Sequence, residues 1–372
     1  MKKISPKILH EMKKDFVKNN IELQINLKNL KVNYTNLKRI APKTIIAACV
    51  KADSYGLGAY QTCKTLFDLK CKDYFVATIE EAISLREIFK NINIYLLNGV
   101  NDLESYMRIK NYNITIVINN THQFEILKSA YKATNNKIKS CIHIDSGMNR
   151  LGFSYQEFKK NLSNFIKYLD IKIIMSHMVN SENRSSLNSK QLKSFNKTKE
   201  GLRKLKNTKF SLGNSNASFL SEKFHFDMIR AGGYIYGLDL QKKNQSKNVL
   251  TLRAKIIQIK NLKKGNSIGY GAKYITQKDC TIGTLAIGYA DGLPRNYKGY
   301  AFLKRKKVKF VGNISMDLSC IDVSGIKRVK VNDWVEIFGK NISIFDFASS
   351  CETITYEISS KIGSRVKRVY KI

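Results

Sequence analysis

The chain is expected to be an α/β protein, with an N-terminal (β/α)8 TIM-type barrel followed by a smaller, mainly β C-terminal domain. Three observations predict this. Eight short, β-branched apolar runs alternate with longer amphipathic stretches from about residue 44 to 240. After residue 245 the rhythm shortens to strand-like segments separated by Gly, Asn and Asp turns. The residues able to do chemistry fall at the C-terminal ends of the eight runs, the face on which such barrels carry their sites.

The elements follow in order. Residues 1–20 are expected to form a helical extension, followed by a strand at 21–25. The eight runs are 44–51, 74–78, 93–98, 114–119, 140–145, 171–177, 209–214 and 227–232. Helical patterns lie between them at 58–69, 79–89, 102–109, 121–133, 155–169, 186–205 and 217–224. An open, doubly wound sheet usually carries fewer strands, and no GxGxxG follows the first run. Later strands are expected at 250–259, 281–287, 307–311, 318–323 and 333–338, then helices at 344–351 and 355–362 and a last strand at 365–370. The expected divisions are 1–20, 21–245 for the barrel and 246–372 for the β domain.

At 372 residues and 43% hydrophobic content, the chain can bury substantial cores. No apolar run reaches membrane-spanning length, and Met1 to Asn20 lacks a continuous apolar core, so a cytoplasmic protein without a secretory signal is expected. The charge of +36 comes from 65 Lys+Arg scattered against 29 Asp+Glu. The lysines are dispersed, and no nucleic-acid-binding signature accompanies them, so no nucleic-acid or membrane partner is expected. The densest cluster, Lys304-Arg305-Lys306-Lys307, reads as a charged strand edge. Seven cysteines without CxxC spacing suit a reduced protein with no disulfide framework and no metal site.

Lys51 closes the first run and opens Lys51-Ala52-Asp53-Ser54-Tyr55-Gly56-Leu57-Gly58. A lysine there suits an amine that forms a Schiff base, since partial burial favours a neutral nucleophile. By itself it suits equally a lysine snorkelling from a strand end. Asp145, His177, Asn214 and Arg230 fall at or near the ends of later runs. Ser215 precedes a helical pattern, and Gly232-Gly233 leave backbone N–H groups unobstructed. Loops after the seventh and eighth strands are the usual phosphate site of this fold. A phosphate-bearing cofactor that also needs an amine suggests pyridoxal 5'-phosphate on Lys51.

With these residues in hand, the chain resembles the alanine racemases, fold-type III pyridoxal-phosphate enzymes, from about residue 21 onward. The motifs carrying the resemblance are Val50-Lys51-Ala52-Asp53-Ser54-Tyr55-Gly56-Leu57-Gly58, Asp145-Ser146-Gly147-Met148-Asn149-Arg150-Leu151-Gly152 and Met228-Ile229-Arg230-Ala231-Gly232-Gly233. Gly269-Tyr270-Gly271, Gly288-Tyr289-Ala290-Asp291-Gly292, Ser315-Met316-Asp317 and Thr355-Tyr356-Glu357 follow in the family's order. The resemblance implies that Lys51 carries the cofactor and that Tyr55, Ser215, Gly232, Gly233 and Tyr356 hold its phosphate, with Asn214 and His177 nearby. It implies that His177 and Asn214 also bind the cofactor, with Arg230 at the pyridine nitrogen and Arg150 at the cofactor's phenolic oxygen and the substrate carboxylate. Met316 would present its N–H to that carboxylate, with Tyr289 and Asp317 in support. Lys51 and Tyr270 would be the two catalytic bases. Tyr270 and Met316 would serve the barrel of a second copy, making a homodimer with shared sites.

The implied reaction is racemisation of L-alanine to D-alanine, supplying D-alanine for a cell wall. It needs one proton-transfer group on each face of a planar intermediate. A phenol is a poor base near neutral pH, and positive charge from His177 beside Arg230 is expected to help its anion. Three positions depart from the family. His143 stands where many members carry a carbamylated lysine, so no carbamate is expected and Arg150 is oriented by an anion or by His143. Ser315 replaces a frequent cysteine, and Ser211 a frequent histidine. A racemase of serine or of broad specificity on the same fold is the alternative. A decarboxylase fits less well, because its second-domain cysteine and acid are replaced by Tyr270 and Ser315-Met316-Asp317.

Overall fold

The computed structural model describes residues 20–202, 207–238 and 246–372. The helical extension expected at the N-terminus and the boundary expected at 245 lie outside these residues, Asn20 excepted. Two compact units emerge. One comprises Asn26–Val249 with Thr355–Ser360 and Tyr370–Ile372, and the other the chain up to Ile25 with Leu250–Ile354 and Lys361–Val369.

The first strand, β1 (Ile21–Asn26), is where the sequence puts it, but not in the barrel: it pairs antiparallel with the strand Leu250–Leu262 of the β unit. Its alternation buries Leu23 and Ile25 while Glu22 forms an ion pair with Arg253. The Asn26 side chain then caps the helix Leu27–Ile40 by accepting from Asn29 N. That helix buries Leu27, Leu30, Tyr34 and Leu37, a helical spacing that the sequence reading passed over.

Eight parallel strands form the barrel: β2 (Ile45–Cys49), β3 (Asp73–Val76), β4 (Asn93–Leu96), β5 (Ile114–Ile118), β6 (Ile138–His143), β7 (Leu169–Met175), β8 (Lys209–Ser211) and β9 (Met228–Ala231). The hydrogen-bonded order β8-β7-β6-β5-β4-β3-β2-β9 runs in sequence around the ring. A parallel bridge between Asn214 and Arg230, with Asp227 N donating to Phe210 O, joins its two ends. Inward side chains fill the lumen: Ala47, Phe75, Tyr95, Val117, Cys141, Ile173, Met175 and Met228 form one buried cluster. Phe75 and Tyr95 stack there with centroids 4.5 Å apart.

The intervening helices begin on caps written into the sequence, including capping boxes at Thr78/Glu81 and Ser154/Glu157. The helix expected over 217–224 is instead two 3-10 turns, Asn216–Phe219 and Glu222–Phe224, because Ser221 interrupts it and caps the second turn.

The β unit contains β10 (Leu250–Leu262), β11 (Ser267–Ile268), β12 (Tyr274–Ile275), β13 (Cys280–Leu285), β14 (Tyr300–Leu303), β15 (Lys306–Val311), β16 (Ser319–Asp322), β17 (Trp334–Phe338) and β18 (Lys367–Lys371). Its main sheet runs β13-β16-β15-β14-β17-β10-β1-β18. Lys304-Arg305 is therefore a hairpin turn and not a sheet edge, since β14 and β15 are each paired on both sides. No helix among the described residues is long and apolar enough to cross a membrane.

Candidate active site

Val50 is buried at the end of β2, and the half-buried Lys51 opens a turn of unusual hand. Ala52, Asp53, Ser54 and Tyr55 all lie in the left-handed region, with φ of 52, 52, 56 and 59°, and none is glycine. Gly56 and Gly58 end the turn at positive φ. A Cβ on Gly56 would meet Ser359 O at 2.2 Å, so only glycine lets the helix Thr355–Ser360 approach the turn. That approach brings Tyr356 to Tyr55, ring centroids 5.7 Å apart, and Tyr236 stands on the other side of Tyr55 at 5.2 Å. Burial pushes the Tyr55 phenol well above its ordinary range and leaves a neutral hydroxyl.

The same tyrosines border a cradle of backbone. Ser215 Oγ accepts from Gly232 N at 3.0 Å and Tyr234 N at 3.3 Å. The buried Gly233 N–H has no acceptor among the described residues. A Cβ on Gly232 would lie 2.6 Å from Tyr55 Oη, and one on Gly233 would lie 2.3 Å from Tyr356 Oη. Two phenols, one serine hydroxyl and an unpaired N–H thus converge where no side chain fits. This donor set suits a phosphate monoester. Both ends of the Asn214 amide are engaged locally, donating to Ser181 Oγ and accepting from Ala217 N.

Arg230 is buried in the lumen. It donates to Ser211 O and Oγ, to Ser176 O and to His177 Nδ1. Burial brings its pKa down to about 10, so it stays a cation at neutral pH. An arginine only donates, so His177 Nδ1 must accept. Burial first and Arg230 second push His177 well below its ordinary value. His177 is therefore neutral and does not carry the positive charge expected of it; the cation beside it is Arg230. Ser211, whose departure from the family pattern the sequence could not weigh, anchors this guanidinium.

His143 at the end of β6 is also held neutral, its pKa brought down to about 4 by burial and then by Arg230. Its Nδ1 lies 2.8 Å from Asn119 Oδ1, while Asn119 Nδ2 donates to Leu97 O. Nδ1 accordingly carries the proton, and Nε2 is left as an acceptor without a partner among the described residues. The next loop is tied down by Asp145, whose carboxylate accepts from Gly147 N, Met148 N and Asn149 N. It presents Arg150 exposed.

Tyr270, Tyr289, Met316 and Asp317 belong to the β unit. Tyr270 is 72% exposed and Met316 54%, high values for large apolar groups. Their loops are nevertheless firmly built. Tyr289 N and Ala290 N donate to Ser315 O and Met316 O, each at 3.0 Å, and Asn313 Nδ2 donates to Tyr270 O. Arg365 bridges the buried Asp291 and the exposed Asp317.

The family description "Alanine racemase, N-terminal domain" matches residues 25–240, and "Alanine racemase, C-terminal domain" matches residues 249–370. The chain belongs to the alanine racemase family. It is thereby a pyridoxal-phosphate enzyme of the racemase class. It is 38% identical to an alanine racemase of Rickettsia africae over 356 residues, covering 94% of this chain and 98% of that one. An alanine racemase structure from Bartonella henselae, with covalently bound pyridoxal phosphate, superposes with a TM-score of 0.89 at 32% identity over 95% of this chain and 99% of the other. A biosynthetic alanine racemase of Pseudomonas aeruginosa gives 0.87 at 30% identity, over 95% of this chain and 100% of the other. The motifs of this alanine racemase family member lie in two groups. Lys51, Tyr55, His177, Asn214, Ser215, Arg230, Gly232, Gly233 and Tyr356 belong to the barrel unit with Arg150, and Tyr270, Tyr289, Met316 and Asp317 to the β unit. Sequence reading missed Ser176, Asn119, Gln191 and Glu81, which contact Arg230, His143, His177 and the turn after Lys51 respectively. Gln191 joins Ser146 Oγ, His177 O and Val179 N. The Thr78/Glu81 capping pattern marks one of them in the sequence, and Asn119 and Ser176 lie at the ends of the expected runs 114–119 and 171–177.

Proposed function

We propose that the chain interconverts L- and D-alanine as a cytoplasmic homodimer, supplying D-alanine for a cell wall, with each barrel completed by Tyr270 and Met316 of the other copy. The observation that carries this reading is the cradle of Ser215, Gly232, Gly233, Tyr55 and Tyr356, free of intruding side chains and in the same unit as Lys51. When bound, pyridoxal phosphate supplies an electron sink for the pair left on Cα as its C–H bond breaks. Lys51 Nζ takes or returns the α-proton on one face, and Tyr270 Oη does so on the other. Arg150 and the Met316 N–H receive the substrate carboxylate. Arg230, which can only donate, would discourage protonation of a ring nitrogen held beside it and so restrain transamination. The exposed Tyr270 and Met316, on loops hydrogen-bonded within the β unit, suit groups that act in a second copy.

Complementation tests the shared site. Lys51→Ala and Tyr270→Phe are each expected to be inactive. Mixed and re-equilibrated, they form half their dimers as hybrids carrying one intact site of two, which restores about a quarter of wild-type activity. No recovery, in a mixture shown to exchange subunits, would refute sharing. In D2O, Tyr270→Phe should wash deuterium into one alanine enantiomer only, and exchange of both would remove the second base. Arg230→Glu should raise transamination, and no rise would reject its assigned restraint.

A further inference from the structure

Four consecutive non-glycine residues in the left-handed region follow Lys51 directly, at a cost of roughly 1–2 kcal/mol each. Such a conformation persists only where its surroundings over-determine it. Within the segment, Ser54 N donates to Val50 O, Gly56 N to Ala52 O and Gly58 N to Asp53 O. The Asp53 carboxylate accepts from Ala59 N at 2.6 Å. From outside comes Glu81, in the helix Ile79–Ile88 that follows β3. Its Oε2 accepts from Ala77 N at 2.7 Å and Thr78 N at 3.3 Å, which completes the capping box. A cap of this kind needs no more. Its Oε1, however, reaches across to Ala52 N at 2.6 Å, the first left-handed residue and the neighbour of Lys51.

We infer that Glu81 is a positioning residue for Lys51. One carboxylate ties the end of β3 to the left-handed turn and so fixes where the lysine leaves its strand. A charge-assisted hydrogen bond from a backbone N–H is among the stronger polar contacts, and here it acts on the first residue of the left-handed run. Without it the turn relaxes toward ordinary dihedrals and Lys51 Nζ loses its fixed origin. This inference rests on the reading of Lys51 as the cofactor lysine.

The test compares holoenzymes of wild type, Glu81→Ala, Thr78→Ala and the double variant Glu81→Ala/Ala52→Gly. Borohydride reduction followed by peptide mapping reads the cofactor linkage at Lys51, and dialysis reads cofactor release. Glu81→Ala is expected to release cofactor roughly tenfold to a hundredfold faster, and to lower kcat more than it changes KM. Thr78→Ala, which removes the cap but leaves the reach to Ala52, is expected to stay within about threefold of wild type. Glycine adopts the left-handed region without penalty, so Ala52→Gly should recover most of the Glu81→Ala loss. Equal effects of Glu81→Ala and Thr78→Ala, or no recovery in the double variant, would overturn the inference. Should Glu81→Ala fail to fold, Glu81→Gln carries the same comparison, because its one oxygen serves only one end of the tether. A wild-type protein that takes no label at Lys51 would sink the underlying reading instead.

Discussion

Acidification offers a direct measure of the neutral histidine at the end of β6. His143 has its pKa brought from an ordinary 6.5 to about 4 in the folded protein. Between those values the unfolded chain binds a proton that the folded chain refuses. Stability from this group is whole above about pH 6.5 and declines as pH falls toward 4, below which both states are protonated and the loss is complete. At about 1.4 kcal/mol per pH unit, the full loss is about 3 kcal/mol, of which 2–3 is reached by pH 4.5. The perturbation is His143→Gln, which removes the titrating group while keeping a donor for Asn119. Urea unfolding at pH 7.5 and 4.5, with protein and cofactor concentrations held fixed, gives the loss for each protein. Carboxylates titrate in both and cancel in the difference, and His177, which feels His143, leaves only a small remainder. Wild type should lose about 2–3 kcal/mol more than His143→Gln over this interval. Equal losses would mean that His143 is not held neutral, and its assignment as an uncharged acceptor near Arg150 would fall.

Gly288→Ala places a Cβ 2.3 Å from both Ser315 O and Met316 O, backbone atoms that cannot swing aside. Overpacking and the two threatened hydrogen bonds should cost about 2–4 kcal/mol by urea unfolding and raise KM for alanine; an unchanged midpoint would refute the close approach. Gly233→Ala drives a methyl into the Tyr356 ring, so equilibrium dialysis should show cofactor affinity falling at least tenfold, by about 1.4 kcal/mol or more, with the fold retained. Ser211→Ala removes one anchor of Arg230 and leaves Met228 O without its hydroxyl donor, which should cost about 1–3 kcal/mol in the same unfolding assay.

The barrel was legible because each of its strands is a short apolar run between turn signals, a pattern set by local burial on both faces. The rim residues were legible for the same reason, since a strand's end fixes the ring position of whatever follows it. What stayed hidden depends on distant partners. Nothing in Ile21–Asn26 announces that it pairs with Leu250–Leu262 rather than with a barrel neighbour. Ala52-Asp53-Ser54-Tyr55 contains no glycine to advertise a left-handed path, and the Ala52 N–H donates to a distant side chain, Glu81. The neutrality of His177 followed from which atom Arg230 donates to, a fact of geometry that residue type alone does not carry.

The barrel unit reclaims Thr355–Ser360 and Tyr370–Ile372 after the chain has laid down most of the β unit. Tyr370 Oη donates to Leu57 O at 2.9 Å, and Tyr356 stands against Tyr55. A nascent chain emerging from the ribosome can therefore wind all eight strands long before its pocket has a second phenol or the turn beside Lys51 has its backing. The backing of the turn thus spans 313 positions of sequence, and its closure depends on residues made long after Lys51.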